Sequence, residues 1–403
     1  MIHSKPFNTV PIKVAFTLIY PGFYVYHFLV TQSFLPPFLE GYSTAIATLA
    51  LPLVTLSFVR QRLGSPIQPS SIELTFFAFL FYYLILLSMH LALGDKPTAI
   101  PPHFGIILQF LCLYLLAAIT PANERSFQRI ALASFLLMTA SIVFYASEGA
   151  FIIAALDIPD QDGKAANYQN YAFIYSVVMF YLIAYASSAR KRLLIYLIGL
   201  PALFINGART EFIWMAIILF GFEFSLSHQK GLVLTALSTI LLLSVLSTDT
   251  ISDLLPDNRI LSLLTDLSED QSAIERRVFF SHGLRTISDH PLLGDFASYE
   301  AGEFIHNILS AWVDLGVLGF ICMVGLLAVP AIDLLVSPLR LVDSGDLRLS
   351  VLLLVFAMAL SITAKHFTHQ LFPVAVGAYA QLICRLNYSR HCRMRARSIA
   401  CNR

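Results

Sequence analysis

Apolar runs of about twenty residues, set apart by short polar connectors, recur along almost the whole chain. Candidate segments lie at 12–31, 41–59, 72–93, 103–120, 128–146, 171–189, 193–206, 211–226, 231–247, 305–336, 349–364 and 371–386. A bilayer core of about 30 Å takes about 20 apolar residues per helix. Without water in that core every backbone group must bond internally, so the segments are expected to be helices. The pattern predicts an all-α polytopic membrane protein with about twelve transmembrane helices. Pro21, Pro52 and Pro201 fall inside segments, where neighbouring helices can satisfy the carbonyls that proline frees.

One interval breaks the rhythm. From Ser247 to Phe304 the chain is mostly polar, and only there is it long enough for a soluble lobe. The expected organisation is a membrane domain at 1–247 with about nine spans, an outer loop at 248–304, a second membrane part at 305–386 with about three spans, and a basic tail at 387–403. Within the loop, residues 272–289 follow a helical period. Arg276 falls in the middle of an apolar stripe formed by Ala273, Phe279, Phe280, Gly283 and Ile287. Arg285 falls on the opposite face, and Arg277 lies on the flank. An arginine on an inward stripe must be paired or face a polar cavity, because a lone buried charge is very costly. A salt bridge to Asp266, Glu269 or Glu303 is the structural alternative to a functional role.

Composition agrees with the pattern. Hydrophobic residues make up 57% of the 403 and charged residues only 13%, about half the charged share of a soluble domain. Mean hydropathy is +0.73. A net charge of +1 without a basic-aromatic patch gives no reason to expect nucleic acid as a partner. Residues 1–11 are too polar for a cleavable signal peptide. Of the five cysteines none lies in the long loop, so no disulfide framework is expected there.

Charge in the connectors sets the orientation. Six arginines crowd the C-terminal tail, which places it in the cytoplasm. Alternation through twelve segments then puts 18 of the 26 Lys and Arg inside and leaves eight outside. The eight are Lys96, Lys164, Arg209, Arg259, Arg276, Arg277, Arg285 and Lys365. They are the informative set, because they break the rule that positive charge stays inside. Both termini are expected inside and the long loop outside.

Three outer stretches carry candidate chemistry. Asn206-Gly207-Ala208-Arg209-Thr210-Glu211 is a tight turn that holds Arg209 near the membrane surface, for function or for snorkelling to lipid phosphates. His306-Asn307 stands where the long loop re-enters the membrane, and an imidazole there can serve proton transfer or merely pack. The connector 157–170 is acidic and then amide-rich, ending on Gln169-Asn170. Its amides suit hydrogen bonding to hydroxyls, although a solvated hairpin is the simpler reading.

Read together, Gly207-Ala208-Arg209-Thr210, Glu275-Arg276 followed fourteen residues later by His290-Pro291-Leu292-Leu293-Gly294, and His306-Asn307-Ile308-Leu309 leading to Leu315-Gly316-Val317-Leu318-Gly319 resemble the O-antigen ligase and repeat-unit polymerase superfamily of bacterial surface-glycan assembly. The likeness covers about 205–320. Phe280, where tryptophan is commoner, and position 296, where glycine often stands, depart from it.

The resemblance implies a metal-independent glycosyltransferase of the bacterial inner membrane, with its active site periplasmic and no cofactor. Its donor would be an undecaprenyl-diphosphate-linked glycan, its acceptor a glycan or a lipid A-core. Membrane lipids, and a chain-length regulator or flippase, are the implied partners. Arg276 and Arg209 would grip the diphosphate, since guanidinium binds phosphate oxygens bidentately and keeps its charge. His306 would accept the proton of the attacking hydroxyl, with Arg277, Arg285, Asn307 and Gln169 as further substrate contacts. Polymerase and ligase share this chemistry; the many small and amide residues of the long loop suit a glycan-tracking surface and favour the polymerase, with the ligase as the alternative. A lipid-linked-glycan flippase is the rival from another class, but a transporter is expected to show a two-fold repeat and intramembrane charges.

Overall fold

The computed structural model of the chain describes residues 9–36, 38–39, 41–63, 69–94, 96–147, 150–151, 168–227, 229–231, 235, 271–299, 303–336 and 344–401. Thirteen helices lie among them. The first predicted span is two helices, α1 (Val10–Ile19) and α2 (Pro21–Thr31), bent by 43° where Pro21 follows Tyr20. Then come α3 (Tyr42–Leu63), α4 (Ser71–Leu93), α5 (Ile100–Ile119) and α6 (Arg125–Phe144). A minimal hairpin of β1 (Ala146–Ser147) and β2 (Ala150–Phe151) adds to the all-helical expectation. The chain continues through α7 (Tyr168–Tyr185), α8 (Ala189–Asn206), α9 (Arg209–Leu226) and α10 (Gln271–Asp289). It closes with α11 (Ser310–Val336), α12 (Gly345–Thr363) and α13 (Leu371–Cys401).

Six of these, α3 to α6, α11 and α12, are each long and apolar enough to cross a membrane, and α1–α2 makes a seventh if taken as one span. Helices α7, α8, α9 and α13 coincide with other predicted segments without reaching that measure. In α7 the reason is visible, since five tyrosines, a glutamine and an asparagine dilute its aliphatic residues. The predicted span at 231–247, apart from residues 231 and 235, the loop at 248–270 and the connector at 157–167 lie outside the described residues. The architecture is nonetheless that of a polytopic helical membrane protein. Its outer faces are apolar stripes at helical spacing, such as Leu49, Leu53 and Leu56 on α3, or Leu318, Ile321, Val329, Ile332 and Leu335 on α11. Water would not tolerate so much contiguous apolar surface, and lipid does.

Helix ends obey local chemistry. Ser70 and Glu73 form a reciprocal capping box on α4, with the Glu73 N–H donating to Ser70 Oγ and the Ser70 N–H to Glu73 Oε2. Ser188 and Ser344 cap α8 and α12. At their other ends α4 and α8 stop on Gly94 and Gly207 in the left-handed conformation that glycine adopts without strain. Helix α7 is buried from Tyr171 to Ala184 and packs chiefly against α12, α8 and α6, while α13 packs against α5 and α12.

Ion pairs join connectors in two sets. Lys13–Glu124, Arg62–Glu73, Arg192–Glu223 and Arg385–Asp346 lie at the end that alternation assigns to the cytoplasm. Lys96–Asp295 and Lys365–Glu211 lie at the other. Each of these six pairs therefore stays within one predicted set of connectors. Glu223, an acid inside a predicted span, is held by Arg192 and by the Tyr196 hydroxyl.

The re-entry segment differs most from its expectation. A helix from 305 was expected, but 305–309 is irregular and α11 begins at Ser310. Gly316 then interrupts α11 with φ 68° and ψ −173°, a region essentially reserved for glycine. This break admits the His290–Asp295 turn. A side chain on Gly316 would overlap the Leu292 carbonyl, and one on Gly294 the Val313 carbonyl. The backbone groups freed by the break find partners. The Val317 N–H donates to Pro291 O at 3.2 Å, the Asp295 N–H to Val313 O at 2.7 Å, and the Tyr82 hydroxyl to Leu315 O at 2.7 Å.

Gly316→Ala is therefore expected to destabilise the fold by roughly 1–3 kcal/mol from backbone strain alone, and further through overlap with Leu292. Gly325→Ala, in the same helix with nothing within 4 Å of the added carbon, should be neutral. Thermal melts of the two variants in detergent check this; equal melting temperatures would contradict it.

Candidate functional site

The docked turn positions the return segment of the chain. With 291–297 fastened to α11, Phe296 is buried against the rings of His90 and His103, at centroid distances of 5.1 and 4.7 Å. Asp295 meets Lys96 at 3.8 Å. The chain then brings Tyr299, Phe304 and His306 over the end of the bundle. Helix α10 lies against this return segment, because Gly283 leaves room for Ile305, whose side chain would stand 3.2 Å from an added Cβ.

Under Phe304 and His306 lies a cavity of about 710 Å³. Its walls come from the start of α3 at Gly41, Thr44 and Ala45, from α5 between Pro101 and Gln109, from Gln169 and Asn170 at the start of α7, and from 364–370 between α12 and α13. All these stretches belong to the connectors, or the helix ends beside them, assigned to the outer side. The lining mixes four amides (Gln109, Gln169, Asn170 and Gln370), three imidazoles (His306, His366 and His369), one ammonium (Lys365) and apolar surface. A volume of this size is that of a small-molecule or cofactor site.

The connector 364–370 supplies most of the charge. Lys365 is buried, donates to Gln169 Oε1 at 2.6 Å and pairs with Glu211 at 2.5 Å. Glu211 lies in the first turn of α9 and is itself buried, so the pair ties α7, α9 and the connector together. The connector is tied to α11 as well, since the Phe367 N–H donates to the buried Ser310 Oγ at 2.8 Å. His369 is enclosed beside Phe173, and burial, aided by Lys365, holds it well below the ordinary imidazole range.

His366 belongs to a polar chain. Its Nε2 lies 3.0 Å from the Tyr299 hydroxyl and 3.4 Å from Asp314 Oδ2. The Tyr299 hydroxyl donates to Asp314 Oδ2 at 2.5 Å, and the Ala297 N–H donates to Asp314 Oδ1 at 3.2 Å. Asp314 is fully buried. Burial and the adjoining carboxylate raise Tyr299 far above an ordinary phenol, so it keeps its proton. Tyr83 and His103 form a further hydrogen bond beside this chain.

His306 is half-buried between Phe304 (4.6 Å) and Phe279 of α10 (6.3 Å). Burial, then the charges of Arg276, His366 and Lys365, lower its imidazole to about 4. It is neutral at pH 7 and able to accept a hydrogen bond.

The residues singled out from sequence separate into groups. His306 and Gln169 share the cavity. Arg276 sits on the inward face of α10, half-buried and electrostatically coupled to His306. That face runs through Phe279, Gly283, Thr286 and Ile287; Phe280, expected on it, is 42% exposed. Glu303 is exposed, and Asp266 and Glu269, the other acids considered for Arg276, lie outside the described residues. Arg277 and Arg285 are exposed and do not line the cavity. Arg209 is the half-buried first residue of α9, two before Glu211. Asn307 serves its own turn, its Oδ1 accepting the Leu309 N–H at 2.9 Å.

Lys365 was noted only as one of eight outer cations and Glu211 only as the end of a turn; His366, His369, Tyr299 and Asp314 were not singled out. A signal existed in Ala364-Lys365-His366-Phe367-Thr368-His369-Gln370, a connector of seven residues with five polar side chains. Asp314 carried none, since it reads as one acid within an apolar helix. Among the described residues no cluster of three or more His, Cys, Asp or Glu side chains is arranged to hold a metal ion.

Lys365→Met, which strands the buried Glu211, should cost about 3–5 kcal/mol of stability, and adding Glu211→Gln should recover much of it; a double-mutant cycle of melting temperatures measures the difference. Ring-¹⁵N NMR, with His306 assigned by its absence in His306→Gln, should show His306 neutral down to about pH 4. Arg276→Gln removes a cation that opposes protonation, so the transition should move to higher pH. A transition that stays in place excludes the coupling. Comparison of the chain with models of known protein families and with curated proteins finds no match.

Proposed function

We propose that this chain is a membrane glycosyltransferase that moves glycan from an undecaprenyl-diphosphate-linked donor to a sugar hydroxyl on the outer side of a bacterial inner membrane. The observation that carries this reading is the amide- and imidazole-lined cavity at the outer end of the bundle, with His306 on its wall and Arg276 beside His306. Amides and neutral imidazoles exchange hydrogen bonds with hydroxyls. Lys365, already paired with Glu211, adds little net charge to the cavity. The interior thus suits a sugar, and Arg276, whose charge acts on His306, and Arg209, two residues before Glu211, are the groups that suit a diphosphate.

The topology belongs to the same proposal: twelve spans, both termini cytoplasmic, and 248–304 periplasmic. Grouping of the ion pairs by connector supports it, since each of the six pairs joins segments that this threading puts on one side. In the reaction, Arg276 and Arg209 hold the diphosphate and stabilise the charge that grows as the glycosidic bond breaks. His306 accepts a hydrogen bond from the attacking hydroxyl and orients it. Repeat-unit polymerase is the preferred form, and ligation to a lipid A-core is the alternative with the same chemistry. Surface polysaccharide from a deletion strain separates them on a gel. Single repeats on the core indicate a polymerase, and bare core with long unattached glycan a ligase.

Purified protein in nanodiscs, given the lipid-linked donor in the presence of a chelator, should release undecaprenyl diphosphate and lengthen or transfer the glycan. Flux of donor without bond cleavage would point to a flippase and defeat the proposal. Arg276→Lys and Arg209→Lys keep the charge but lose the planar fork, and each should lose about a hundredfold in rate. His306→Ala should lose turnover while donor binding survives. Arg285→Lys, on the exposed face of α10, should retain activity. If His306→Ala abolishes donor binding while Arg276→Ala keeps it, these roles are wrongly divided.

A further inference from the structure

Resting on that reading, a second question is where the proton of the attacking hydroxyl goes. His306 is a poor destination. The charges of Arg276, His366 and Lys365 oppose its protonation, and among the described residues no carboxylate pairs with it.

Across the ring of Phe304, whose centroid lies 4.6 Å from His306 and 4.7 Å from His366, the situation reverses. The Thr368 N–H points to His366 Nδ1 at 3.4 Å and the Thr368 hydroxyl lies 2.9 Å from the same atom. Nδ1 thus holds the lone pair and Nε2 the proton, an assignment made from the hydrogen-bond network. Nε2–H faces the Tyr299 oxygen, whose own proton is given to Asp314. A cationic His366 would therefore rest against a buried carboxylate through one phenol. Thr368 and His366 both stand on the cavity wall. A threonine hydroxyl that donates to Nδ1 keeps its lone pairs free for a ligand O–H. The other ionisable groups near His366 are His306, His103 and Lys365, the last neutralised by Glu211.

We propose that His366, through the Thr368 hydroxyl, takes the proton of the acceptor sugar, with Tyr299 and Asp314 as positioning residues behind it. The acceptor oxygen bonds to the anomeric carbon. The bond from that carbon to the diphosphate oxygen breaks, and its electron pair leaves on the diphosphate. The acceptor proton moves to Thr368 Oγ1 as the threonine proton moves to His366 Nδ1. The imidazolium returns its proton to water when the product leaves, and the site is restored.

The test is steady-state turnover of the undecaprenyl-diphosphate-linked donor by the full chain in nanodiscs, with kcat and donor KM measured separately. His366→Gln and Thr368→Val should each lose roughly 10²–10⁴-fold in kcat with donor KM little changed. Thr368→Ser, which keeps the hydroxyl, should restore most of the rate. Tyr299→Phe should lower kcat about tenfold, the scale of one hydrogen bond to a charged group. Full-rate Thr368→Val, full-rate His366→Gln, or losses confined to KM overturn the inference while leaving the glycosyltransferase reading intact. Wild-type protein without turnover defeats both. Should His366→Gln fail to fold, the Thr368→Val and Thr368→Ser pair still decides, because valine matches the volume of threonine.

Discussion

The end of this molecule that holds the cavity depends on a backbone-to-backbone contact at two glycines. Gly294 and Gly316 allow the His290–Asp295 turn to lie directly on the broken start of α11. A helix interrupted in an apolar setting leaves polar groups that lipid cannot satisfy. Here the turn, together with the Tyr82 hydroxyl, satisfies them. The contact aims the first turns of α11 so that Ser310 reaches the connector 364–370 and Asp314 reaches Tyr299 and His366. It also fixes where the chain re-enters the bundle, and hence where Phe304 and His306 close over the cavity.

Around that contact the molecule separates its tasks. Tyrosine-rich α7 is enclosed by its neighbours, and the outer helices present aliphatic stripes. Ionisable groups gather at the two ends. The buried Lys365–Glu211 pair shows how such a group is accommodated, since its desolvation is offset by close geometry and by an added hydrogen bond from Lys365 to Gln169. It contributes fixed geometry more than stability.

Much of the helical framework was legible in the sequence, because span length and apolar continuity are imposed by the solvent. The inward placement of Arg276 and the outward placement of Arg285 were legible too, from helical period alone. Other features were not. The kink at Gly316 depends on a partner turn some twenty residues earlier, and a periodicity window cannot see it. Lys365 was visible as an outer cation, but its burial against Glu211 requires α9 and α12 to be neighbours. Asp314 was hidden by its surroundings, since an acid within an apolar run looks like a flaw in a span until its partners are known. Phe280 was misplaced because the stripe on α10 is narrower than its apolar residues suggest, with Gly283 and Thr286 at its centre.

Helix α13 begins at Leu371, at the foot of the cavity, and runs for 31 residues. At about 1.5 Å per residue it is about 46 Å long, against a hydrocarbon core of about 30 Å. Its far third is rich in arginine and cannot be drawn into lipid without great cost. The helix is thus longer than such a core is thick, so the cavity floor at its start and the arginine-rich stretch at its end cannot both lie within lipid.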